Sequence, residues 1–265
     1  MLDAAVKRLP RFLMEIAPIQ RLIGAPSRLR LVGQSDMAPH PMAARAVPEL
    51  GTAQWSELAH AAVRSQAEAI TLLRAWRDQG RSWPDIYLHG IGPTAQLMGT
   101  WWAADCMDFS SVSVGVARLQ AAICELSPEF LAGARAVSGT PKRLLLVNPA
   151  SQHTLGSLMA AEFFRLDGWW VQVVYAADAQ DWLGMLNSDW FDLLGVGISA
   201  DSQLPGLRGV LSQARSVSAN PAVKIMLGGP LVQNRHELVN ALQADFSAQS
   251  ADEAVRLAGQ WVVAG

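Results

Sequence analysis

From Trp55 to about Val137 apolar residues recur at helical spacing, and no strand-like run interrupts them. Leu58, Ala61, Ala62, Gln66, Ala69 and Ile70 predict one helix. A break at Arg81-Ser82-Trp83-Pro84 precedes a second, running from Asp85 through Ile86, Leu88, Ile91 and Ala95 to Met98, in which Gly90, Gly92 and Pro93 predict a kink or interruption. Val112 to Leu126 predicts a third helix. Ser127-Pro128, with serine as cap and proline at the first helical position, predicts the start of a fourth. Four helices with short connections predict an antiparallel bundle.

The pattern changes at Gly139-Thr140-Pro141. Leu144-Leu145-Leu146-Val147 is a continuous apolar run, as expected of a strand covered on both faces. A helix over Leu155 to Asp167 follows, then a strand Trp170 to Tyr175, a helix near Ala179 to Ser188 and a strand Leu193 to Ile198. Next come a helix Leu204 to Ser216, a strand Val223 to Leu227, a helix near His236 to Leu242, a weak strand around Asp245-Phe246 and a closing helix from Asp252. This alternation predicts a doubly wound sheet of five parallel strands. The expected fold class is therefore α/β, a four-helix-bundle cap followed by a Rossmann-like five-stranded parallel sheet domain. Three regions are expected: 1–50, an N-terminal helical extension with a proline-rich linker; 51–138, the helical bundle; and 139–265, the Rossmann-like domain.

The first fifty residues contain Pro10, Pro18, Pro26, Pro39, Pro41 and Pro48, a density that forbids one long helix. A short amphipathic helix or two up to about Ile23 and an extended linker from Ala25 to Glu49 are expected. Seven basic side chains against four acidic ones in this segment are too thin an excess to argue DNA binding. No pair of helices at helix-turn-helix spacing is readable there, so direct sequence-specific DNA contact is not expected. Over the whole chain 21 basic and 23 acidic residues nearly cancel, which removes any global field towards nucleic acid or an anionic membrane. Cys106 and Cys124 form no Cys-x-x-Cys pair, and neither a membrane span nor a signal peptide is visible, so a cytoplasmic location is expected. Ten tryptophans against two tyrosines is an unusual balance; such rings serve either as core packing or as a wall against a large flat ligand.

Ligands of a doubly wound sheet gather at the carboxyl ends of its strands. Asn148 to Gly156 follows the first strand and contains His153, Ser199-Ala200-Asp201-Ser202 follows the third, and Gly228-Gly229-Pro230 follows the fourth. Imidazole is the commonest protein ligand for a transition metal, although a lone loop histidine is more often merely solvated. A glycine pair makes a turn, or leaves room for a ligand along the backbone.

His153-Thr154-Leu155-Gly156, Ser199 and Gly228-Gly229, in this order and spacing, resemble the cobalamin-binding domain family, whose signature is Asp-x-His-x-x-Gly, then Ser-x-Leu, then Gly-Gly. The resemblance implies that His153 replaces the dimethylbenzimidazole of the cofactor as lower axial ligand of cobalt. It also implies that Ser199 contacts the base of the freed nucleotide tail and that Gly228 and Gly229 line the tail channel. Ser151, Thr154 and Gly156 complete the implied binding loop. Gly99-Thr100-Trp101-Trp102 resembles the Gly-x-x-Trp of the helical cap above cobalamin, which implies Trp102 over the corrin and Trp101 in packing. The implied cofactor is cobalamin, as adenosylcobalamin or hydroxocobalamin.

Three departures carry information. Ser151 stands where enzymes of the family have aspartate, removing the charged partner that orients a metal-bound imidazole. Val112-Ser113 stands where light-sensing repressors have Glu-His, and Asp201 stands where the Ser-x-Leu motif has leucine. Ser-Gln-His-Thr-Leu-Gly with an N-terminal extension is most similar to the AerR/PpaA-type antirepressors of bacterial photosynthesis genes. That resemblance implies a light-responsive sensor that is not an enzyme and whose partner is a transcriptional repressor. Two other readings of the motif are a methyl-carrying corrinoid protein of a methyltransferase system and a haem-binding redox sensor.

Overall fold

The computed structural model describes residues 49–149, 154–175 and 178–262. The helix expected up to Ile23, and all but the last residue of the expected linker, lie outside the described residues.

The single helix expected around Leu58 to Ile70 is two: α1 (Thr52–Arg64) and α2 (Gln66–Asp78). They part at Ser65, whose backbone is extended and whose hydroxyl accepts from the amide of Glu68. Satisfying one orphan amide with a serine oxygen starts a new helix where apolar periodicity alone reads through. The break expected at Ser82 holds: its hydroxyl accepts from the Asp85 amide and opens α3 (Trp83–Ile86). The interruption expected at Gly90, Gly92 and Pro93 takes the form of a π turn, Tyr87–Ile91, before α4 (Gly92–Ala103). Gly90 is required there because a Cβ would lie 2.8 Å from the Trp76 ring.

The fourth helix expected from Ser127-Pro128 does not form. Instead α5 (Phe109–Phe130) runs unbroken through Pro128, and the Ser127 hydroxyl donates to Glu162 at 2.6 Å rather than capping. An interior proline costs about 3 kcal/mol. Burying Leu126 and Phe130 on either side of it stabilises the helix by roughly 1.5–3 kcal/mol each, enough to offset that cost. The bundle is thus α1, α2, α4 and α5, with α1 against the other three.

The sheet contains β1 (Arg143–Val147), β2 (Trp170–Val174), β3 (Leu193–Gly197), β4 (Lys224–Gly228) and β5 (Phe246–Ser247), all parallel, in the order β2-β1-β3-β4-β5. Between them run α6 (Leu155–Leu166), α7 (Ala179–Ser188), α8 (Leu207–Val217), the short α9 (Pro230–Gln233) and α10 (Glu237–Ala241), with α11 (Ala251–Trp261) closing. Here α8 begins later than expected, behind Pro205 and a Gly206 in the left-handed region.

One sheet face carries Leu144, Leu146, Leu193 and Met226 beneath Phe164 of α6 and Ala254 and Ala258 of α11. The other carries Leu145, Val147, Leu194, Val196 and Ile225 against α7 and α8. Helix α6 works on both sides, since its Met159 and Phe163 join the bundle core while Ala161 and Phe164 face the sheet. Cap and sheet therefore share buried side chains across a single helix. Glu162 of α6, only 3% exposed, is held by Ser127 and by Arg165 at 2.7 Å.

Candidate functional site

The strand order reverses between β1 and β3, and a crevice opens at such a switch point beyond the carboxyl ends of the strands. Val147 pairs with Val196, and Gly197 with Gly228. One residue further along β1, this register brings Asn148, Gly197 and Gly228 abreast on the α6 face, since alternate strand residues share a face. The row has a single side chain. A Cβ on Gly197 would meet the Asn148 Oδ1 at 2.4 Å, so glycine there makes room for the amide. At Gly228 a Cβ would meet nothing within 4 Å.

Gly229 is a different case. Its φ of +98° lies in the region that favours glycine, and a Cβ would sit 2.4 Å from the Ile198 carbonyl oxygen. The missing side chain of Gly229 lets β4 pass close to the exit of β3, whereas that of Gly228 leaves open space. Gly156, exposed in the first turn of α6, likewise has nothing within 4 Å of its Cβ direction. Thr154, the N-cap residue of α6, is half-buried, and its hydroxyl accepts from Gln120 of α5 at 2.8 Å, tying the bundle to the start of α6.

Asn148 is 2% exposed. Its Oδ1 accepts from the Ser157 hydroxyl at 2.6 Å, while its Nδ2 has no acceptor among the described residues. A buried donor left unmatched costs about 1–3 kcal/mol.

Ser199 follows β3, and its amide and hydroxyl both donate to Gln203 Oε1, at 2.7 and 3.0 Å. Gln203 Oε1 also accepts from the Ala200 amide at 2.9 Å, and its Nε2 donates to the Pro149 carbonyl at 2.5 Å. One amide side chain thus clamps the loops after β1 and β3 across the crevice. Periodicity and motif both pass over Gln203; the only local signal is its place three residues after Ala200 in a short turn. Asp201 is exposed and paired with Arg235, so its charge is directed to an ion pair.

Ser151 and His153 lie outside the described residues. In the helical layer, Trp101 stacks on His60 with ring centroids 5.2 Å apart and packs on the bundle core. Trp102 is half-buried, with its ring 6.2 Å from that of Phe109, which is 51% exposed. Val112 is half-buried against the core, and Ser113 is exposed. The other tryptophan pair belongs to packing: Trp169 meets Phe164 edge-on, and Trp170 lies under the Arg143 guanidinium at the amino edge of the sheet.

The residues described here fit a corrinoid. The open Cβ direction at Gly228 leaves space for a bulky group, and Asn148 beside it in the same row carries a polar nitrogen without an acceptor among the described residues. No helix of the described residues is long and apolar enough to cross a membrane.

No family model matches the chain. An uncharacterized 20.5 kDa protein in the bchF-crtJ intergenic region of Rhodobacter capsulatus is 26% identical over 162 residues, 61% of this chain and 84% of that protein. Among solved structures, the monomethylamine corrinoid protein of Methanosarcina barkeri superposes with a TM-score of 0.64 at 16% identity, over 78% of this chain and 96% of that one. A cobalamin-binding protein from Desulfitobacterium hafniense DCB-2 gives a TM-score of 0.43 at 14% identity, over 80% and 98% of the two chains, so the fold comparison rests on the Methanosarcina protein. The chain has the fold of a corrinoid protein, a helical cap on a five-stranded parallel Rossmann-like sheet.

Proposed function

We propose that this chain binds cobalamin at the carboxyl ends of β1, β3 and β4, with His153 as the lower axial ligand of cobalt, and acts as a light-responsive regulator rather than an enzyme. The observation that carries the reading is the row Asn148, Gly197 and Gly228 at the switch point, open at Gly228 and furnished with one polar side chain. A fold shared with a corrinoid protein supports the choice of ligand.

In this reading the corrinoid, when bound, supplies a cobalt whose upper ligand light can remove. The protein supplies the rest. His153 offers a neutral imidazole to the metal. Ser199, oriented by Gln203, contacts the tail base, and Gly228 leaves the channel open. Trp102, with Phe109 beside it, would cover the bound corrinoid and shield it from water. The partner we propose is a transcriptional repressor of photosynthesis genes. The Ser-Gln-His-Thr-Leu-Gly resemblance supports it, as does a relative encoded among photosynthesis genes between bchF and crtJ.

A methyl-carrying role is the second reading, favoured by the superposition on a methylamine corrinoid protein. Ser151 weighs against it, because serine cannot supply the charged partner that tunes an axial imidazole. The test is the absorption spectrum of the purified chain after incubation with adenosylcobalamin and with hydroxocobalamin, in darkness and after illumination, followed by titration of the repressor. Corrin bands that survive desalting, with unequal repressor affinity for the two forms, support the sensor. Equal affinity reduces the corrinoid to a structural cofactor, and a Soret band instead of corrin bands makes the ligand haem.

A further inference from the structure

Asn148 has a feature that the binding motif does not account for. Its amide is held in one orientation, because Ser157 donates to Oδ1 at 2.6 Å and Gly197 leaves the space in which that oxygen sits. The same constraint fixes Nδ2. That nitrogen is buried and has no acceptor among the described residues, on a side chain whose position lies abreast of Gly197 and Gly228 at the strand ends. A polar group in such a place is destabilising until something supplies an acceptor.

We propose that Asn148 is a specificity-determining residue, whose Nδ2 donates a hydrogen bond to an acceptor on the nucleotide tail of a bound corrinoid and so selects complete corrinoids over tail-less ones. The inference rests on the corrinoid reading above. A nucleotide tail carries the needed acceptors in its phosphate, ribose and base. A corrinoid that ends before the nucleotide leaves Nδ2 unmatched, and a site built to hydrogen-bond a ligand group discriminates strongly against the analogue lacking it. Asn148 lies at the switch point between β1 and β3, where a ligand threaded between sheet and α6 passes.

The experiment compares the full chain with Asn148→Leu and Asn148→Asp, titrating each with hydroxocobalamin and with the tail-less corrinoid cobinamide and reading absorbance. Asn148→Leu keeps the branched shape and removes the donor together with the acceptor for Ser157. Asn148→Asp keeps the acceptor for Ser157 and turns the free end into a second acceptor. Both are expected to weaken cobalamin binding by about tenfold or more, as for one lost hydrogen bond in a buried site, and to leave cobinamide affinity within about twofold. Melting temperatures of the ligand-free variants are read beside the affinities, because Asn148→Leu removes an unmatched donor but also leaves the Ser157 hydroxyl without its acceptor. A merely structural asparagine would instead lower the affinities for cobalamin and cobinamide together in both variants, which overturns the proposal. Unchanged cobalamin affinity in both variants also overturns it while leaving corrinoid binding intact. A wild-type chain that takes up neither corrinoid overturns both this proposal and the reading it rests on.

Discussion

Gly228 and Gly229 are adjacent after β4 and enter the binding motif as a pair, yet their missing side chains face different surroundings. Gly228→Val should put an isopropyl group into open space and weaken corrinoid binding by about tenfold or more, with the melting temperature of the free protein within a few degrees of wild type. Gly229→Val should act on the fold itself, since positive φ costs about 1–3 kcal/mol for a residue with a side chain and the Cβ collides with the Ile198 backbone. Parallel thermal melts and cobalamin titrations separate the two; equal melting temperatures for both variants would contradict the distinction. His153, Ser199 and the glycines were legible in the sequence as candidates only, because motif spacing can be read without structure. Asn148 and Gln203 were not. A lone amide in a loop has no sequence signature, and its role comes from partners brought together by the fold: Ser157 and Gly197 around one, Pro149 and Ser199 around the other.

Among the elements, the strands were read to within about a residue, because buried parallel strands are continuous apolar runs with sharp ends. Helix ends were harder, since side-chain caps and tertiary burial decide them. Ser65 splits a helix that periodicity joins, and Ser127-Pro128 mimics a start inside a helix that Phe130 carries onward. Ser65→Ala should cost about 1 kcal/mol, the usual worth of an N-cap, and lower the melting temperature by a few degrees. Ser127→Ala should cost more, about 1.5–3 kcal/mol, because it removes a hydrogen bond to the buried Glu162 carboxylate. A smaller loss than for Ser65→Ala would argue that Glu162 is held by Arg165 alone. The Asp108 carboxylate, which caps α5, lies below the usual aspartate range because the Ser111 hydroxyl and then the Ser111 amide donate to it. Its folded pKa being depressed, its stabilisation is present above the ordinary aspartate pKa and is lost as pH falls through the depressed value. The melting-temperature gap between wild type and Asp108→Ala should therefore be full at neutral pH and close on acidification. A gap independent of pH would contradict that origin.

For the whole molecule, the informative feature is that cap and sheet are not separate bodies joined by a linker. Helix α6 contributes Met159 and Phe163 to one core and Phe164 to the other, and Gln120 of the bundle reaches Thr154, the residue after His153 in sequence. A change at the carboxyl edge of the sheet thus has a short physical route to α5 and the surface around Trp102 and Phe109. Gln120→Ala should leave corrinoid affinity within about threefold but narrow the difference in repressor affinity between adenosylcobalamin and hydroxocobalamin forms, as read by titration of each complex; a difference as large as in wild type would rule out this route. The expectations that concern the corrinoid depend on His153 meeting cobalt. That contact is tested most directly by electron paramagnetic resonance of the cobalt(II) form bound to protein carrying heavy nitrogen in its histidine rings. Coordination by His153 predicts that the triplet splitting from the axial nitrogen becomes a doublet on labelling and vanishes in His153→Ala. A triplet unchanged by the label would mean that the cofactor keeps its own base on the metal, contradicting the assignment.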